Sequence, residues 1–155
     1  MDITPMCLEC RNFFLKNGVS DIYSGTYTIS GGVISPLPDN IITGQYIRIV
    51  GSKLNDRVIK NTAEELSALS DETFDGAVWD MYVSPAFLEL CKDISEWQTK
   101  NGTAESAAMS PFTSESFGGY SYSKGGGSAS TGGAAVAWQD VFKPRLNVFR
   151  RINIL

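Results

Sequence analysis

The chain contains no histidine. That absence removes the Ser-His-Asp and Cys-His arrangements of nucleophilic catalysis and most catalytic zinc sites, which need imidazole as base or ligand. Cysteine is scarce as well. Cys7, Cys10 and Cys91 are too few and too scattered for a disulfide-stapled scaffold, and an odd number fits a chain that folds in a reducing cytoplasm. No apolar run reaches the roughly 20 residues that span a bilayer. The start, Met1-Asp2-Ile3-Thr4, lacks the basic and apolar regions of a signal peptide, so no targeting segment and no membrane association are expected. Positive charge is not in excess either: 13 Lys and Arg against 17 Asp and Glu leave a net charge of -4, which argues against a general nucleic-acid binder. What remains is 155 residues, 43% hydrophobic and 19% charged, enough for one domain with a small inserted module.

Periodicity divides the chain into three kinds of segment. Thr4 to Asn17 predicts a helix, with Thr4 as N-cap, Pro5 in the first turn, Gly18 as the stop and Met6, Cys7, Cys10, Phe13 and Phe14 on one face. Residues 20–83 change to strand signals. Thr26-Tyr27-Thr28-Ile29 leads into Gly31-Gly32 and Val33-Ile34, a hairpin; Gln45 to Val50 alternates; Asn55-Asp56 suggests a tight turn before Arg57 to Lys60; Asp75-Gly76 precedes Ala77-Val78-Trp79. Ser84-Pro85 restarts helical signalling, with Phe87, Leu90, Cys91, Ile94 and Trp97 as an apolar stripe and Asn101-Gly102 as its end. Residues 103–133 form a long Gly- and Ser-rich loop. A final helix from Ala134 to about Arg151 carries Pro144 inside it, which kinks or splits it near Lys143. These segments predict an α+β fold: N-terminal, middle and C-terminal helices on which a small antiparallel sheet or barrel leans.

Most candidate chemistry fails on its own terms. Cys7-x-x-Cys10 falls inside a predicted helix, without the strand and βαβ unit of a redox site, and reads as core. Asp71-x-Thr73-x-Asp75-Gly76 resembles the opening of a calcium loop, but the twelfth position is Tyr82 rather than a bidentate glutamate. The pairs Glu64-Glu65 and Asp71-Glu72 lie in polar sequence and read as solvated acids. Gly125 to Gly133 has no Gly-Lys-Ser/Thr after it, so a linker is the better reading than a phosphate loop. Tyr120 and Tyr122 beside Lys124 suit base stacking only on a less acidic chain. No catalytic residue, metal site or cofactor is expected, and no enzyme. Charge is nevertheless polarised. Between Glu64 and Glu96 nine acids (Glu64, Glu65, Asp71, Glu72, Asp75, Asp80, Glu89, Asp93, Glu96) face one base, Lys92; after Asp140 come Lys143, Arg145, Arg150 and Arg151 with no acid. Two solvated faces, or complementary surfaces meeting between copies, both fit that pattern.

Several segments resemble tailed-bacteriophage head–tail connector proteins, also called head completion or adaptor proteins. They are Gly25-Thr26-Tyr27-Thr28-Ile29, Gly44 to Ser52 with Asn55-Asp56, Thr73 to Trp79, Pro85-Ala86-Phe87-Leu88, Ser114-Glu115-Ser116-Phe117-Gly118-Gly119-Tyr120-Ser121-Tyr122-Ser123, and Trp138 to Phe142 with Arg150-Arg151-Ile152. The likeness spans Gly25 to Ile152 and is most specific at the Ser-Glu-Ser…Tyr-Ser-Tyr-Ser stretch. Where it leads one to expect a glycine after Asn55-Asp56, this chain has Arg57. The resemblance implies a small helical bundle of the N-terminal, middle and C-terminal helices with the β module, 20–83, inserted after the first helix. It further implies a single connector domain, 1–155, that forms a homo-oligomeric ring of twelve copies at the virion neck and is assembled in the host cytoplasm. Such a ring sits beneath the portal, lets DNA pass without sequence-specific contact and receives the stopper or tail-completion protein. It places portal contacts in a C-terminal docking tail, 149–155: Phe149, Arg150, Arg151, Ile152, Asn153, Ile154 and Leu155. Ser114, Glu115, Phe117, Tyr120, Tyr122, Lys143 and Arg145 are the expected ring-interface residues. A tail-completion or terminator protein is the nearest alternative. A small binding module using Tyr46, Arg48 and Trp79 on the β insert is another.

Overall fold

The computed structural model describes residues 1–102, strands 114–117 and 120–123, and residues 136–152. It divides into two compact units: Met1–Leu88 with Phe149–Leu155, and Glu89–Val148. The first is built on a five-stranded antiparallel half-barrel sheet in the order β2-β1-β5-β3-β4, made of β1 (Ile22–Ser30), β2 (Val33–Ser35), β3 (Tyr46–Val50), β4 (Val58–Lys60) and β5 (Glu72–Met81). The frame is the long β1–β5 ladder, whose register runs from Ile22↔Trp79 to Ile29↔Glu72. Alternation puts Tyr27, Ile29, Ile47, Ile49, Phe74 and Val78 on one face, where they close a buried core with Ile34, Ile41, Ile59 and Leu69.

This architecture corrects the expected helical bundle with an inserted sheet. The class is mixed, but the sheet is the frame and the helices are short. Helix α1 covers only Thr4–Cys10. Arg11 turns left-handed at φ 49°, and the Asn12 N–H reaches Cys7 O while the Arg11 N–H reaches Leu8 O, the double closure that ends a helix. Gly18 therefore stops nothing, and 12–16 runs on as irregular chain. Thr4 is not the cap: Ile3 holds that position, and the Thr4 hydroxyl donates to Asp2 and accepts the Val58 N–H at 2.8 Å. Helix α2 (Ala63–Leu66) is a single turn capped by Thr62.

Other expectations hold. The Gly31-Gly32 hairpin forms, with φ 54° and 78° at the two glycines. Helix α3 (Pro85–Asn101) starts at the Ser84-Pro85 signal, buries Phe87, Leu90, Cys91 and Ile94, and closes with the Gly102 N–H on Gln98 O. Pro144 does split the last helix: α4 (Trp138–Val141) and α5 (Lys143–Asn147) meet at Phe142. Inside the Gly- and Ser-rich stretch, expected to be loop throughout, β6 (Ser114–Phe117) and β7 (Tyr120–Ser123) form a separate antiparallel pair. The rest of 103–133 lies outside the described residues.

Two polar networks pin the sheet's loops. Glu72 accepts Ser52 Oγ and the backbone N–H groups of Lys53 and Leu54, and these hydrogen bonds, the Ser52 hydroxyl first, hold its carboxyl below the ordinary carboxylate range. Buried Asn55 completes this loop by exchanging bonds with Ser70 at 2.9 Å in both directions. The turn before β4 thus needs no glycine at Arg57; the positive φ falls instead on Gly51, at 90°. At the other end of β5 the fully buried Asp80 accepts Asn40, Gln45 and the Tyr82 hydroxyl, a full set of donors for a carboxylate removed from water.

Candidate functional site

The expected portal-docking tail begins inside the sheet unit rather than free of it. A helix end leaves carbonyls without intrahelical partners, and the tail supplies one: the Arg151 N–H donates to Cys10 O at 2.9 Å. Asn12 then bridges both sides, its Nδ2 donating to Phe149 O at 2.9 Å and its Oδ1 accepting the Phe14 N–H at 2.8 Å. The Phe149 ring packs against Phe87, 5.2 Å between centroids, and against Phe14 at 6.4 Å. Arg150 pairs with Glu9. Phe149 and Arg150 therefore have partners in their own chain, and beyond them Arg151 and Ile152 of the expected tail are exposed, the latter at 85%. Asn153, Ile154 and Leu155 lie outside the described residues.

Sequence reasoning missed the seat of this tail: Glu9, Cys10, Asn12 and Phe14. Its only local signature is a break that no glycine marks, since Arg11 and Phe14 both take positive φ, 49° and 53°. Cys10 belongs to this seat as packing. Burial pushes its thiol up to about 11, against the pull of the Arg150 guanidinium, so the Cys7-x-x-Cys10 spacing carries no activated thiolate there.

The expected ring-interface residues fall in the second unit. In the β6–β7 register Glu115 pairs with Tyr122 and Phe117 with Tyr120, while Ser114 and Ser116 pair with Ser123 and Ser121. The hairpin thus sorts its sequence into one set of positions holding Glu and three aromatics and another holding only serine. On the C-terminal helices, Lys143 is exposed. Arg145 pairs with Asp93 at 2.7 Å, both about half exposed, and its guanidinium lies 5.9 Å from the centre of the Phe142 ring. The acidic middle and the basic C-terminal stretch therefore meet at least once within a single chain. Trp97, expected on the apolar stripe of α3, packs edge-on against Phe142 at 6.4 Å between ring centroids.

The binding platform imagined on the sheet is not open. Arg48 and Trp79 are register partners, but Phe13 sits over them, 5.2 Å from the Trp79 ring and 5.5 Å from the Arg48 guanidinium. Arg48 pairs with Asp56, and Tyr46 lies 6.0 Å from the Lys60 ammonium. The calcium-like run Asp71 to Gly76 is mostly extended strand in β5, so its oxygens cannot wrap an ion. Among the described residues no group of three or more His, Cys, Asp or Glu is placed to hold a metal, and no helix is long and apolar enough to cross a membrane. No family model, curated protein or solved structure matches the chain.

Proposed function

We propose that this chain is a virion structural protein, a head–tail connector subunit that forms a ring at the neck of a tailed bacteriophage. The ring binds the portal protein, extends the DNA channel and gives the stopper or tail its docking surface; it performs no catalysis. The observation that carries this reading is where the resemblance falls. Gly25–Ile29, Gly44–Ser52 and Thr73–Trp79 lie on β1, β3 and β5, three neighbouring strands, and Ser114–Ser123 coincides with the β6–β7 hairpin. The likeness follows connected structural pieces rather than scattered residues.

Physical features agree with the role. A net charge of -4 suits a channel wall along which DNA slides, because few phosphates would be neutralised. Val19, Ile42, Val148 and Ile152 are each more than 60% exposed, apolar surface that a ring with a docking platform would cover. The tail engages portal through Arg151 to Leu155, with Phe149 and Arg150 as its anchor. The test is the native mass of the purified chain, alone and with portal. A ring mass and co-migration with portal are expected, and a chain lacking Asn153 to Leu155 keeps its circular dichroism but loses the portal complex. A protomer that stays monomeric at every concentration, with portal present, overturns the proposal.

A further inference from the structure

The five-stranded sheet treats its edges unequally. On β4, the Val58 N–H is taken by Thr4 Oγ1 and the Lys60 N–H by Glu65 Oε2, both at 2.8 Å. A strand cannot add where side chains already occupy the outward donors. Strand β2 is three residues long and runs directly into Pro36 and Pro38, which carry no N–H to offer. Strand β1 is different. Strand β5 covers it from Ile22 to Ile29, but β2 covers only Thr28 to Ser30, so along Ile22–Tyr27 the side away from β5 carries no strand among the described residues. That stretch, Ile-Tyr-Ser-Gly-Thr-Tyr, has no charge and no proline, and Ser24, Gly25 and Thr26 are exposed. The Ile22 N–H is taken by the Val19 carbonyl, but from Ser24 to Tyr27 none of the usual guards of a sheet edge is present among the described residues.

The second unit holds the converse. Strands β6 and β7 form a two-stranded sheet of four residues a side. A hairpin that small is marginal in water and gains stability from a third strand. Its strands fit within a six-residue edge, and Glu115 is their only charge, so nothing in them repels an uncharged edge.

We infer that the open edge of β1, Ile22–Tyr27, receives the β6–β7 hairpin of a second copy of this chain, making one continuous sheet across the subunit boundary. The inference rests on the ring reading and names its interface. Each copy offers one edge and one hairpin, two different patches, so the contact runs head to tail, as a cyclic ring requires.

Cysteine cross-linking in the full-length chain tests it. One preparation carries Ser24→Cys; others carry Ser114→Cys, Ser116→Cys, Ser121→Cys or Ser123→Cys. The native thiols at Cys7, Cys10 and Cys91 are buried, and the unsubstituted chain sets the background. The first preparation is mixed with each of the others where the chain assembles, alone or on portal, and oxidised. A covalent dimer in at least one mixture is expected, and a ladder of multimers when both cysteines share a chain. Rings that form but give no dimer in any mixture overturn this inference and leave the ring reading standing. Bonds formed only within single chains also overturn it, and a chain that never assembles overturns both. Gly25→Lys is the second arm. A side chain at Gly25 meets nothing within 4 Å, so the protomer should keep its unfolding midpoint while assembly falls at least tenfold. Undiminished assembly of Gly25→Lys refutes the proposal.

Discussion

Gly25 and Gly76 face each other across the β1–β5 ladder, yet they are glycines for different reasons. At Gly76 a side-chain carbon would run into the Val50 carbonyl oxygen and press on the Phe74 ring. At Gly25 it would enter open space. One position marks a close approach of two strands inside the sheet; the other has room above the sheet face. The same contrast separates the two ends of the strand order. Strand β4 is closed by residues from α1 and α2, whereas β1 beyond the reach of β2 has no strand beside it among the described residues. A glycine inside a strand pattern therefore marks a close approach in one case and open space in the other.

The largest test of that contrast is Gly76→Ala, which should cost about 3 kcal/mol because backbone, not a movable side chain, stands in the way. The matched Gly25→Ala should stabilise the protomer by about 0.5 kcal/mol, as alanine does in an unstrained strand. Comparable denaturant midpoints for the two would break the comparison. Next in size is the closed edge. Thr4→Val removes the acceptor of the buried Val58 N–H and should cost about 2 kcal/mol, with Thr4→Ser restoring most of it. At the end of α1, Arg11→Gly should gain about 1 kcal/mol, because glycine holds a left-handed φ without penalty.

The smallest effect is on pH. The Glu72 carboxyl is held below its ordinary value of 4.5, so its contribution is full above that value and fades as pH falls through the lower native one. Glu72→Gln should therefore lower stability at neutral pH and flatten the acid limb of a stability profile. An acid limb as steep as in the unsubstituted chain would show that the loop network is not its source.

Local chemistry made part of this fold legible. Gly31-Gly32 announced a turn needing positive φ, Ile47 and Ile49 alternated inward, Ser84-Pro85 opened α3 and Pro144 divided the last helix. The frame was hidden because it depends on pairing between β1 and β5, about fifty residues apart, and no local pattern encodes such a partner. The end of α1 was hidden because Arg11 adopts a conformation that sequence patterns assign to glycine. Asp75-Gly76 read as a break and instead lies within the longest strand. At the candidate site the docking tail was expected at 149–155, and the seat of its described part was not expected, since the bond from Asn12 to Phe149 joins residues at opposite ends of the chain.

That seat has a mechanical consequence. A load applied beyond Arg151 does not simply peel a loose tether. It reaches α1 through the Cys10 carbonyl and Asn12, and passes from the Phe14 carbonyl to the Tyr82 N–H at the end of β5. Tension on the tail is thereby carried into the longest strand among the described residues, whose many hydrogen bonds resist together rather than one after another.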